Sequence, residues 1–157
     1  MKKIMELLQN MKAKNEKKDN KGFSLVELII VIAIMAILVG IVGTQVLPYI
    51  DKSRHAKDVQ VLSGLWTDAT AAYSSAASEL TESVYTITID STVSVSGGSD
   101  TAGATKLQNA FAEYNGVTNV KDLKLESKEG KKVTAVTIKC QDSKPMVSVT
   151  TTGGTFD

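Results

Sequence analysis

Hydrophobic positions along the chain follow three regimes, each with its own period. Over residues 28–43 nothing is charged or strongly polar, and with residues 23–27 the stretch reaches 21 residues. As a helix it is about 31 Å long, enough to span a bilayer. Further on, Val59, Leu62, Trp66, Ala69, Tyr73 and Ala76 alternate spacings of 3 and 4. This is the apolar stripe of an amphipathic helix over residues 49–76, whose other face carries Lys57, Asp58, Gln60, Asp68 and Ser75. Core packing is the expected role of Trp66 and Tyr73.

From residue 85 the period drops to two. Tyr85, Ile87 and Ile89 alternate with Thr86, Thr88 and Asp90, and Val93 and Val95 keep the parity until Gly97-Gly98-Ser99-Asp100 breaks it. The pattern predicts a strand or hairpin. Leu107, Ala110, Phe111 and Tyr114, followed by Asn115-Gly116, predict a short amphipathic helix with a glycine stop. Residues 123–127, a turn at 128–131, residues 133–141, a turn at 142–145 and residues 146–150 predict a three-strand antiparallel meander, with Val136, Ile138 and Cys140 on one face. The Ser/Thr/Gly tracts at 91–105 and 150–155 are expected to be exposed loops or edges. The fold class is therefore α+β: a long N-terminal helix, half transmembrane and half amphipathic, packed on a C-terminal antiparallel sheet. At 157 residues one core fits and two would be crowded.

Charge changes this picture by giving the chain a direction. Residues 1–22 hold seven Lys against Glu6, Glu16 and Asp19, a balance of +4, and the remainder carries −3. Lys12, Lys14, Lys17, Lys18 and Lys21 precede the apolar run, which holds this end in the cytoplasm and sends the rest outward. A secretory signal would have a shorter apolar core and small residues at a cleavage site. Here Pro48, Tyr49, Ile50, Asp51 and Lys52 follow instead. The single Cys140 excludes an intrachain disulfide and reads as a small buried hydrophobe. His55, the only His, lies between Arg54 and Lys57 and is expected to be solvated.

Two details of the apolar run suggest more than a plain anchor. Ala33, Ala36, Gly40 and Gly43 place four small residues on one helical face, where another helix can approach closely. Glu27 puts a carboxylate at the edge of the run, where a charge is costly without a partner. Snorkelling to the headgroups is the simple alternative for it. Pro48 removes a helix hydrogen bond and crowds the carbonyl of Thr44, so a kink is expected near residues 44–48.

Lys21-Gly22-Phe23-Ser24-Leu25-Val26-Glu27-Leu28 and the apolar run after it closely resemble the N-terminus of type IV prepilins and pseudopilins. The resemblance covers roughly residues 18–50 and combines a basic leader, Gly, Phe, an acid and a membrane-length helix. It implies cleavage between Gly22 and Phe23 by a membrane prepilin peptidase, and methylation of the new Phe23 amine by the same enzyme. It further implies that Glu27 neutralises the amine of a neighbouring subunit in the filament core. The implied partners are further copies of the chain, the peptidase/methyltransferase, an inner-membrane assembly platform and, before assembly, membrane lipid. The implied organisation is a cleaved cytoplasmic leader (1–22), a transmembrane and filament-core helix (23–47) and an extracellular pilin head (48–157). The chain departs from the family at Thr44, where a Pro is usual, at Ala36, where a Gly is usual, and in having no cysteine pair to close the head.

The inventory argues against an enzyme: one His, one Cys, no CxxC, no phosphate-cradling glycine loop and no placed acid pair. No cofactor or metal is expected. Nucleic-acid binding is not expected either, because residues 23–157 are net acidic and Lys128, Lys131 and Lys132 straddle a turn. The expected function is a structural subunit of a type IV pilus-like filament. The alternatives are a pseudopilin of a type II secretion or DNA-uptake machine, and a monomeric anchored surface-binding protein.

Overall fold

The computed structural model describes residues 2–19 and 22–156. The chain divides into two compact units, Met1–Leu47 and Pro48–Asp157. In the first, helix α1 spans Lys2–Asp19, a helix not expected from the reading above. Its sequence places Ile4, Leu7, Leu8 and Met11 on one face, the signature of a helical period. Helix α2 spans Leu25–Ala76 with Pro48 inside it, and residues 25–47 belong to the first unit. Among the described residues it is the one helix long and apolar enough to cross a membrane, judged by length and composition. Its large side chains, Leu25, Val26 and Leu28 through Leu47, stand 41–73% exposed.

The second unit is a four-stranded antiparallel sheet covered on one face by residues 48–76 of α2 and by a shorter helix. Strands β1 (Val84–Ile89), β2 (Val93–Ser96), β3 (Ala135–Gln141) and β4 (Val147–Thr152) lie in the order β2-β1-β3-β4. Ile87 pairs with Val95 on one side and Ile138 on the other, and Ile138 pairs in turn with Val149. This register brings Tyr85, Ile87, Ile89, Val136, Ile138 and Cys140 onto one face, all fully buried. Against them pack Leu62, Leu65, Ala69, Ala72 and Tyr73 of α2, and Leu107 and Phe111 of helix α3 (Thr101–Tyr114). The alanines let the α2 backbone come close to the sheet, and the alternate residues Thr86, Thr88 and Thr137 leave a polar outer face.

Several expectations are corrected here. Residues 123–127 are not a strand, and the sheet takes its remaining strands from the β1–β2 hairpin. The reason is a carboxylate. Asp58, expected on the solvated face of its helix, is fully buried. Its two oxygens accept the backbone N–H groups of Glu126 at 3.0 Å and Ser127 at 2.9 Å. Asp51, two turns earlier, accepts that of Lys128 at 3.1 Å. The donors a strand would offer to a ladder are thus held by the helix. Gly130 closes this loop because any Cβ there would collide with the Asp58 carboxylate and come within 2.8 Å of Leu125 Cβ.

Helix α3 begins earlier than expected, at Thr101, because Asp100 caps it by accepting the Gly103 N–H at 2.7 Å. Residues 101–105 are therefore helical. The same Asp100 accepts the Tyr85 hydroxyl and the Thr81 N–H, which ties β1 to α3. The Tyr85 hydroxyl, with the Gly103 and Thr81 donors, holds the Asp100 carboxyl well below the usual carboxylate range. The stop of α3 is Asn115 in extended geometry rather than a left-handed glycine. Trp66 is half exposed, with its Nε1 donating to Val147 O at 2.9 Å, and Leu65 fills the core position instead. His55 is partly covered and stacks on Phe156 with ring centroids 5.1 Å apart.

Burial alone would raise the Asp58 carboxyl, but the Ser127 hydroxyl, the two backbone donors and nearby His55 outweigh it and hold it below the ordinary 3.8. The stability this confers is fully present above the unfolded value and is lost as pH falls below 3.8 through the depressed folded value. Asp58→Asn replaces one acceptor with a donor facing a buried N–H, so it should destabilise the head by about 1–3 kcal/mol. Urea unfolding of the detergent-solubilised chain, followed by the single Trp66, should show a lower midpoint and a weaker loss of stability below pH 4. An unchanged midpoint would remove Asp58 from this role.

Candidate functional site

The segment between α1 and α2 holds the residues singled out by the sequence. Gly22 is a bend, and Phe23 and Ser24 lie outside any helix or strand. Phe23 is 89% exposed. The Gly22–Phe23 bond therefore lies outside helix and strand, with Phe23 exposed. Lys21 and the side chains of residues 12–20, part of the basic leader, lie outside the described residues.

At the start of α2 the structure adds a feature the sequence reading missed. The Ser24 N–H donates to Glu27 Oε2 at 3.0 Å, and the Glu27 N–H donates to Ser24 Oγ at 3.2 Å. The pair is a reciprocal capping box, satisfying two backbone donors at the helix entrance. The first intrahelical bond, from Leu28 N–H to Ser24 O at 3.1 Å, follows at once. Ser-x-x-Glu before an apolar run was a legible signal for it. Glu27 also lies in the first turn, where the helix dipole favours a negative charge.

Further along the same unit, Ala33, Ala36, Gly40 and Gly43 are all exposed. A Cβ built on Gly40 or Gly43 meets nothing within 4 Å, so both are open to a neighbour rather than required by the chain's own packing. The Thr44 hydroxyl donates back to the carbonyls of Ile41 at 3.0 Å and Gly40 at 3.3 Å, as hydroxyls in apolar helices do.

Comparison with known families falls on this same stretch. Residues 17–43 match the sequence model of the prokaryotic N-terminal methylation motif. The chain carries the type IV prepilin signature. The architecture, a long N-terminal helix with a four-strand antiparallel sheet, is α+β and pilin-like. The prepilin signature and the apolar helix together support membrane anchoring. No curated protein and no solved structure gives a significant match to the chain.

The head also carries an open groove of about 580 Å³ between α2 and β4. Val59, Leu62, Trp66, Val149 and Phe156 line it with Ser, Thr and Gly residues. The residues that line it carry no acid, base or thiol.

Proposed function

We propose that the chain is a prepilin, cut between Gly22 and Phe23, methylated on the Phe23 amine and polymerised through residues 23–47 into a type IV pilus-like filament. The observation that carries this reading is the prepilin signature over residues 17–43, which runs into a helix whose apolar side chains are covered by none of the described residues. Before assembly lipid covers them, with the leader in the cytoplasm and the head outside. In the filament neighbouring helices replace lipid, and the exposed stripe of Ala33, Ala36, Gly40 and Gly43 allows close approach. The role is structural rather than catalytic.

Intact mass of subunits sheared from cells tests the processing step. Residues 1–22 should be missing and Phe23 should carry one added methyl group. A subunit that retains Met1 would overturn the reading. Long fibres in the sheared fraction separate a pilus from the short fibre of a pseudopilin.

Glu27 tests the assembly step, because its two roles can be pulled apart. A capping box accepts either Glu or Gln at this position, whereas neutralising a neighbour's ammonium requires the charge. Glu27→Gln and Glu27→Ala should both be processed normally, and both should lower fibre yield by about tenfold or more, as expected for an unpaired buried charge. Normal fibre yield from Glu27→Gln would reduce Glu27 to a helix cap.

A further inference from the structure

Helix α1 presents a face that none of the described residues covers. Ile4, Leu7, Leu8 and Met11 are 56–63% exposed, and their spacing puts them within one arc of the helix. Lys2 and Lys3 at its start are exposed as well. Residues 1–22 carry seven Lys and three acids, so the apolar face belongs to a strongly cationic segment. Most of a helix's stability comes from packing its amphipathic face rather than from propensity, and an apolar face of this kind gains stability by leaving water.

We infer that α1 is an interfacial helix that lies on the anionic cytoplasmic surface of the same bilayer that residues 25–47 enter. Three observations choose lipid over other occupants. The first is the combination of apolar face and net positive charge, the composition that binds anionic headgroups and the acyl boundary beneath them. The second is reach. From Asp19 to Leu25 the chain extends at most about 20 Å, so α1 cannot leave the neighbourhood of the membrane surface once α2 is inserted. The third is that the local concentration of lipid around a tethered helix is high, which makes even a short apolar face sufficient. Docking holds the Gly22–Phe23 bond at the membrane surface, between a helix lying on the bilayer and one crossing it. This inference rests on the proposed function only for the insertion of residues 25–47.

The test uses the full chain reconstituted in vesicles, with single cysteines introduced at Leu7 or at Gln9 on the opposite side of α1 and labelled with a polarity-sensitive fluorophore. Native Cys140 is fully buried, and burial pushes its thiol up to about 11, so the label goes to the introduced site. Flotation of the vesicles first reports whether residues 25–47 insert. In vesicles containing phosphatidylglycerol, the label at Leu7→Cys should be blue-shifted and protected from iodide, and the label at Gln9→Cys should remain quenched. In phosphatidylcholine alone the Leu7→Cys protection should fall. Floating protein with equal quenching at the two sites in anionic vesicles overturns the docking while leaving the anchor and its processing intact. Failure to float overturns both. Because Leu7 and Gln9 are exposed, neither substitution removes a core contact, and Lys2→Glu with Lys3→Glu provides a second variant that should lose the protection without touching the apolar face.

Discussion

An apolar helix with no cover of its own is the constraint on which the organisation of this chain depends. Over residues 25–47 the large side chains stand about half exposed or more, and each square ångström of such surface costs about 25 cal/mol in water. The segment therefore exists only with lipid or with other helices around it. Its local chemistry fits that demand. The helical backbone satisfies its own polar groups, the Thr44 hydroxyl returns to the carbonyls behind it, and the single charged side chain is confined to the first turn, where it accepts a backbone donor. A carboxylate two turns later would have neither partner nor exit.

The head meets a different constraint, the lack of any cross-link. Carboxylates take over the tying of loops to helices. Asp58 and Asp51 on α2 hold residues 126–128, Asp100 joins β1 to the start of α3, and Asp142 accepts the Tyr73 hydroxyl at 2.6 Å. Hydrogen bonds to an ionised acceptor are roughly twice as strong as neutral ones, and they fix direction as well as distance. The arrangement makes these acids far more consequential than the surface ion pairs Lys57–Glu126 and Lys106–Glu79, whose ends stay in water.

What the sequence made legible followed from period. The membrane-length run, the hairpin of β1 and β2, and the burial of Val136, Ile138 and Cys140 all come from patterns that a single face dictates. The misreadings came where a side chain competed with the period. Residues 123–127 look like a strand, but the pattern does not reveal that Asp58, about seventy residues away in sequence, captures their N–H groups. Asp58 itself looks like a solvent-facing acid because its burial depends on the loop it binds. Asp100 disguised the start of α3 as a turn. The capping box at Ser24 and the apolar face of α1 were legible in principle, since both are local. They were overshadowed by the stronger signal of the apolar run between them.

At Glu27 the local and the intermolecular readings meet. A carboxylate has two oxygens and about four acceptor sites, and the capping box takes only Oε2. Among the described residues Oε1 accepts no hydrogen bond. The cap fixes the side chain against the helix entrance and limits its rotamers, so less conformational entropy remains to be lost when a cation arrives. On the proposed reading, the cap and the pairing are therefore cooperative. Ser24 holds one oxygen still, and on that reading the other is left for the ammonium that cleavage would create on a neighbouring Phe23. On that reading, the acid at the edge of the membrane in the single subunit would already be held in place for its partner in the filament.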